Sequence, residues 1–211
     1  MSATDPRAPR LAPPFRRAVA GDAPALARLI DLAGEGLPAA LWQRTAAPGQ
    51  SALEVGMARA AREEGGFSYR NAVVAEIDGG VAGMLLGYRQ PDPYDPGDLA
   101  QLPEPVRPLL MLEARAPGSW YVNGLAVFPE YRGRGLASGL LGVAAALARQ
   151  AGAPVLSVIV GEWNGAARRL YEREGYREAG RLAAVALPGV GRAGEWILLT
   201  RPAAERAALT G

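Results

Sequence analysis

Residues 128–141 spell FPEYRGRGLASGLL, two glycines alternating with two arginines and then an apolar run. Residues 120–128 before it have the composition of a strand. Leu136, Leu140, Val143, Ala144 and Leu147 after it recur at helical spacing and predict a helix over 135–150. The glycines therefore sit where a strand ends and a helix begins. The first turn of a helix carries N–H groups with no intrahelical partner, and its dipole favours negative charge. Gly133 and Gly135 clear side chains from that approach, while Arg132 and Arg134 add cationic reach. A pyrophosphate cradle is one reading; a solvated turn is the other.

Composition narrows the chemistry. The chain of 211 residues holds no cysteine and no histidine, so disulfides, thiolate metal sites and the commonest metal ligand are excluded. No metal is expected. Acid–base work falls to Glu, Asp, Tyr, an amine or water. All 23 basic residues are arginine, which reads as coding bias in a GC-rich bacterial genome. They are scattered and the net charge is +2, so neither nucleic acid nor membrane is an expected partner. No run reaches the roughly 18 apolar residues of a membrane span, and the proline-rich start lacks a secretion-signal core. A cytoplasmic protein is the expectation: residues 1–14 a leader, 15–202 one domain, 203–211 a tail.

Along that domain, 15–19 reads as a strand, and Asp22 is placed to cap a helix with Leu26, Leu29, Ile30 and Ala33 inward. Helices are expected over 37–44 and 51–63, the latter capped by Ser51 with Leu53, Val55, Met57 and Ala60 as its apolar residues. Strands 71–77 and 81–88 flank the hairpin turn Asp78-Gly79-Gly80. PDPYDPGD then breaks the pattern, and 91–118 reads as an insertion with a helix around 105–114. Strand 155–160, helix 164–173 ending at Gly175, and strands 176–187 and 195–201 complete a mixed α/β (α+β) order.

Three nucleotide-type loops compete for the glycines. A P-loop needs a lysine, and the chain has none. A dinucleotide fingerprint is approximated by Gly133, Gly135 and Gly139, but it belongs after the first strand of a sheet and only one strand–helix–strand unit follows here. The third is carried by two motifs. Arg132-Gly133-Arg134-Gly135-Leu136-Ala137, with Leu125-Ala126-Val127-Phe128-Pro129 before it, resembles the coenzyme A loop of the GNAT N-acetyltransferase superfamily. Asn164, Ala167, Leu170, Tyr171, Gly175 and Tyr176 match the second signature of that family, Asn-x-x-Ala-x-x-Leu-Tyr-x-x-x-Gly-Phe/Tyr. The close resemblance covers about 119–180.

The resemblance implies a GNAT-like acyl-CoA N-acyltransferase fold, a twisted, mostly antiparallel sheet splayed at a coenzyme A cleft and flanked by helices. It implies acetyl-CoA as cosubstrate and direct attack by a primary amine in a ternary complex. Backbone N–H groups of Arg134 to Ala137 would hold the pyrophosphate. Leu125, Ala126 and Val127 would pair with the pantetheine arm, and the Val127 N–H would polarise the acetyl carbonyl. Asn164 is either a helix cap or a contact to that arm. Tyr171 is the implied general acid for the leaving thiolate, against the alternative of a core aromatic. Glu113, Glu162 and Glu195 are open candidates for the base. Alternation places Tyr121, Asn123 and Leu125 on one face of strand 120–128, with Tyr121 and Asn123 the substrate-site candidates and Gly124 the candidate for a bulge. The acceptor is a small-molecule or peptide amine, and a homodimer is compatible with the family. A coenzyme A-binding sensor without catalysis is the alternative from another class.

Overall fold

The computed structural model describes residues 11–187 and 193–204. Seven strands form one sheet in the order β1-β2-β3-β4-β5-β7-β6. Strands β1 (Phe15–Arg17), β2 (Ala72–Ile77), β3 (Gly80–Arg89) and β4 (Trp120–Val127) pair antiparallel in sequence order. Strand β5 (Val155–Gly161) joins β4 in parallel, and β7 (Glu195–Pro202) lies antiparallel between β5 and β6 (Arg177–Ala183). The mixed, mostly antiparallel sheet expected from the sequence is thus present. Its parallel step is the β4–α5–β5 unit, with α5 at Leu136–Gln150.

Helices cover both faces. Helix α5 and the end of α6 (Gly165–Arg173) bury Leu140, Leu141, Ala144 and Tyr171 against Val73, Leu85, Val122 and Leu156. Helices α1 (Ala23–Ala33), α2 (Leu37–Gln43) and α3 (Ala52–Ala60) cover the other face, where Leu26, Leu29, Ile30 and Trp42 meet Val74, Met84 and Leu86. Burying side chains of this size contributes about 1.5–3 kcal/mol each. The insertion supplies α4 (Arg107–Glu113), whose Leu112 packs with Ala116 on Leu198 of β7. Leu198 faces away from its neighbours Ile197 and Leu199, which pack on the α5 side. So α4 shares the α1–α3 side of the sheet.

Several local expectations need correction. Asp22 does not cap α1 with its side chain. Its carboxylate turns back to accept from the Val19 N–H at 2.8 Å and from two nitrogens of Arg16 at 2.7 and 3.0 Å. Arg16 also reaches Glu76, so the network ties β1 to β2 and to the start of α1. The second helix cap is as expected: Ser51 and Glu54 form a reciprocal capping box. In α3, Leu53 is exposed, and Val55, Gly56 and Ala60 face inward because Gly56 lets the Trp42 ring lie on the helix. Strand β6 ends at Ala183, short of the expected 187. The leader's residues 1–10, the turn residues 188–192 and the tail's 205–211 lie outside the described residues.

Two measurements check these packing arguments. Burial raises the Asp22 carboxyl pKa, but the Arg16 and Val19 hydrogen bonds outweigh it and hold the group below its ordinary value. A depressed folded pKa means the contribution is complete above the unfolded value of about 4 and is lost as pH falls through the folded one. Asp22→Asn is therefore expected to cost about 1–2 kcal/mol in denaturant titrations at pH 7, less than a fully buried pair because Arg16 is part-exposed, with the cost shrinking in acid. Gly139 of α5 is the second case: a Cβ there would stand 2.4 Å from the Phe15 ring. Alanine would gain up to about 1 kcal/mol of helix propensity against about 1–3 kcal/mol of overpacking. Gly139→Ala is expected to lower stability by about 1 kcal/mol in the same assay.

Candidate active site

Strands β4 and β5 pair only through Trp120–Leu156, Tyr121–Ser157 and Val122–Val158. Beyond that they part, and a cleft of about 280 Å³ opens between them. The cause lies on β4's other edge. Leu86 of β3 stands opposite Gly124, while the next residue, Gly87, stands opposite Val122. Asn123 is the extra residue of a β-bulge, which bends the strand and increases its twist. The bulge expected at Gly124 is thus one residue earlier. It also corrects the expected alternation. Tyr121 lines the cavity on the α1–α4 face, but Leu125 packs on the α5 side, as Val122 does. Gly124 sits on the α1 face instead, near Ala33 and Met84.

Past the bulge the backbone alternates regularly. The Phe128 N–H donates to Ala82 of β3 at 2.9 Å. Successive N–H groups of a strand point to opposite edges, so those of Val127 and Leu125 face the gap on the β5 side. Leu125, Ala126 and Val127 all line the cleft.

At the end of β4 the glycine loop enters α5. Gly133 and Gly135 hold φ of 75° and 76°, the left-handed region that side chains avoid, and a Cβ on either would meet nothing within 4 Å. Both glycines are there for torsion, and open space lies over them. The first hydrogen bond of α5 runs from Gly139 N–H to Gly135 C=O, so the N–H groups of Leu136 and Ala137 lack helical partners. Leu136's side chain is buried with Val127, Ala75 and Ala82, which pins the loop to the sheet. Arg132 donates through Nε to the Val127 carbonyl at 3.2 Å and lines the cleft, whereas Arg134 is exposed over the Tyr131 ring. Torsion, open space and unpaired N–H groups make the loop fit a bound diphosphate. Gly139 belongs to packing against Phe15, which removes the third glycine of the dinucleotide pattern.

The opposite wall comes from β5 and α6. Asn164 caps α6, its Oδ1 accepting from the Ala167 N–H at 3.0 Å. Its Nδ2 donates to Glu35 at 2.6 Å, and the Trp163 indole N–H donates to the same carboxylate. Glu35 follows α1, has a left-handed φ of 52°, and lines the cleft with Asn164. Tyr171 is buried, lines the cleft, and meets Tyr176 edge-on at 5.5 Å. Burial, and then the neighbouring Tyr176, pushes its phenol well above the ordinary value. It is a core aromatic that also lines the cleft.

A second cavity, about 660 Å³, meets the first at Asn123 and Gly124. Helices α1 and α2 and the insertion around α4 wall it, and Leu86, Tyr88, Tyr121 and Trp196 come from the sheet. Asn123 Nδ2 approaches the Tyr88 hydroxyl at 3.4 Å. Glu113 of α4 lines this cavity and accepts from Gln90 Nε2 at 3.0 Å and from the Tyr94 hydroxyl at 2.8 Å. Of the three candidate bases it alone lies here. Glu195 is paired with Arg181 at 2.7 Å, and Glu162 lines neither cavity. Sequence reasoning missed Glu35, Tyr88, Gln90 and Tyr94. Gln90 just precedes the turn-rich start of the insertion and Tyr94 lies within it, where polar side chains follow a strand's end.

Among the described residues no helix is long and apolar enough to cross a membrane, and no cluster of three potential metal ligands occurs. No curated protein matches the chain in sequence. Solved structures do match in fold. An N-acetyltransferase from Staphylococcus aureus Mu50 superposes with a TM-score of 0.58 at 20% identity, covering 89% of this chain and 99% of that one. The Salmonella typhimurium protein yncA, solved with its cofactor acetyl-CoA, gives 0.58 at 18% identity over 92% and 95%. A ribosomal-protein-alanine N-acetyltransferase from Brucella melitensis gives 0.57 at 22% over 89% and 98%. The model of the acetyltransferase (GNAT) family matches residues 40–176, from α2 through the glycine loop to the end of α6. The chain belongs to the GNAT acetyltransferase family.

Proposed function

We propose that the protein transfers acetyl from acetyl-CoA to a primary amine by direct attack, both substrates being bound together. The observation that carries this reading is the junction of the two cavities at the bulge. The cleft beside the glycine loop and the larger cavity share Asn123 and Gly124 where β4 frees its edge, together with Ala33, Ile159 and Trp196.

The N–H groups at the start of α5 take the pyrophosphate, with Arg132 and Arg134 adding charge around them. The arm of the coenzyme runs along Leu125, Ala126 and Val127 as an added strand, and the Val127 N–H faces the carbonyl oxygen that gains charge as the amine adds. Asn164 reaches the arm only with the amide nitrogen that now holds Glu35, because its oxygen serves the helix cap. The amine nitrogen forms a bond to the thioester carbon, the C–S bond breaks, and Tyr171 gives its proton to the departing sulfur. A phenol held above its ordinary pKa stays protonated throughout the neutral range, which is the state an acid needs.

Tyr171→Phe keeps the ring packed on Tyr176 and removes the proton. It is expected to lower kcat about 100-fold, with acetyl-CoA affinity by calorimetry changed less than about threefold. Normal turnover by this variant would remove the acid assignment. Binding of acetyl-CoA by the wild type with no transfer across a broad amine panel would point instead to a sensor.

A further inference from the structure

Glu113 is a carboxylate without a cation. It is largely withdrawn from water, and its donors are neutral: the Gln90 amide and the Tyr94 hydroxyl, both on Oε2. Among the described residues no arginine pairs with it. Withdrawing a lone carboxylate from water is costly, and hydrogen bonds from neutral groups offset only part of that cost. A carboxylate offers about four acceptor positions, so the two donors leave room for a ligand. The rings of Tyr88 and Tyr121 stand edge-to-face, 6.1 Å apart, in the same cavity wall, and aromatic faces favour a cation. The cavity also contains the reverse charge. Arg44, just beyond α2, and Arg59, in the last turn of α3, line it, and neither forms an ion pair among the described residues.

We propose that Glu113 is the acceptor-binding carboxylate: it receives the ammonium of a small amine that also carries an acid group, held by Arg44 and Arg59, and takes the proton that frees the nitrogen to attack. This rests on the acetyl-transfer reading above and names the acceptor class for the same site, a zwitterion of the amino-acid type. The proton balance closes. Glu113 accepts one proton from the ammonium, and the nitrogen lone pair then forms the C–N bond. The C–S bond breaks and Tyr171 protonates the sulfur. The second nitrogen proton leaves as the amide forms and restores the phenol through solvent, and Glu113 later releases its own proton to water. Burial raises the Glu113 carboxyl pKa, which brings it closer to that of an amine and helps it act as a base.

The test uses the full chain with acetyl-CoA as donor and follows thiol release. The acceptors are L-amino acids, each beside its carboxamide and its decarboxylated amine. Amino acids are expected to exceed both analogues at least tenfold in kcat/KM. R44A and R59A should raise the amino-acid KM about tenfold and erase the preference, with KM for acetyl-CoA unchanged. E113Q should lose about 100-fold in kcat/KM while calorimetric acetyl-CoA affinity, which also reports an intact fold, stays the same; E113D should recover part of the loss. Transfer unaffected by E113Q, equal use of the decarboxylated amines, or acetyl-CoA binding without transfer to any amino acid would each overturn this inference. Absence of acetyl-CoA binding by the wild type would overturn the proposed function itself, and this inference with it.

Discussion

A strand has two edges, and the C-terminal half of β4 uses only one of them. Its pairing with β3 continues to the end, while its pairing with β5 stops after Val122. That inequality creates the cleft, and the extra residue at Asn123 is its local cause. Leaving backbone N–H groups unpaired is costly in a protein interior. The structure tolerates it because the freed edge faces a gap rather than packed side chains. The glycine loop, the α6 cap and the buried Tyr171 all gather around this gap.

The bulge also determines which side of the sheet each residue faces. It turns Val122 and Leu125 to the α5 side and leaves Tyr121 on the side of α1–α4. One strand thus presents backbone to the cleft and a side chain to the second cavity. The insertion completes the chamber because α4 is itself anchored, by Leu112 and Ala116 on Leu198. The helix that offers Glu113 to the cavity is therefore held by apolar packing on a separate part of the sheet.

The parts of this arrangement that depend on local pattern were legible in the sequence. The glycine loop, the order of elements from 71 to 175 and the Ser51 cap follow from torsional needs, periodicity and short-range hydrogen bonding. Asp22 was misread because its partner, Arg16, lies on the preceding strand β1 and competes with the helix end. The alternation along 120–128 failed because a bulge is a property of two paired strands, and period-2 counting sees only one. Gly139 resembled a nucleotide glycine until Phe15, 124 positions earlier, came to rest on it. Glu113 was among three carboxylates that the sequence could not rank, since ranking them required knowing that Glu195 meets Arg181 and that Gln90 and Tyr94 converge on α4.

The carboxylate of Glu35 gives the cleft a mechanical character. Strands β4 and β5 are joined at their base by three paired positions, like the pivot of a pair of tongs. Near the open end, Glu35 links the corner after α1 to Trp163 and Asn164 at the corner after β5. Hydrogen bonds of this exposed kind are individually worth about 1 kcal/mol and exchange readily with water. The open end is therefore closed by a fastening weaker than the paired strands at the pivot.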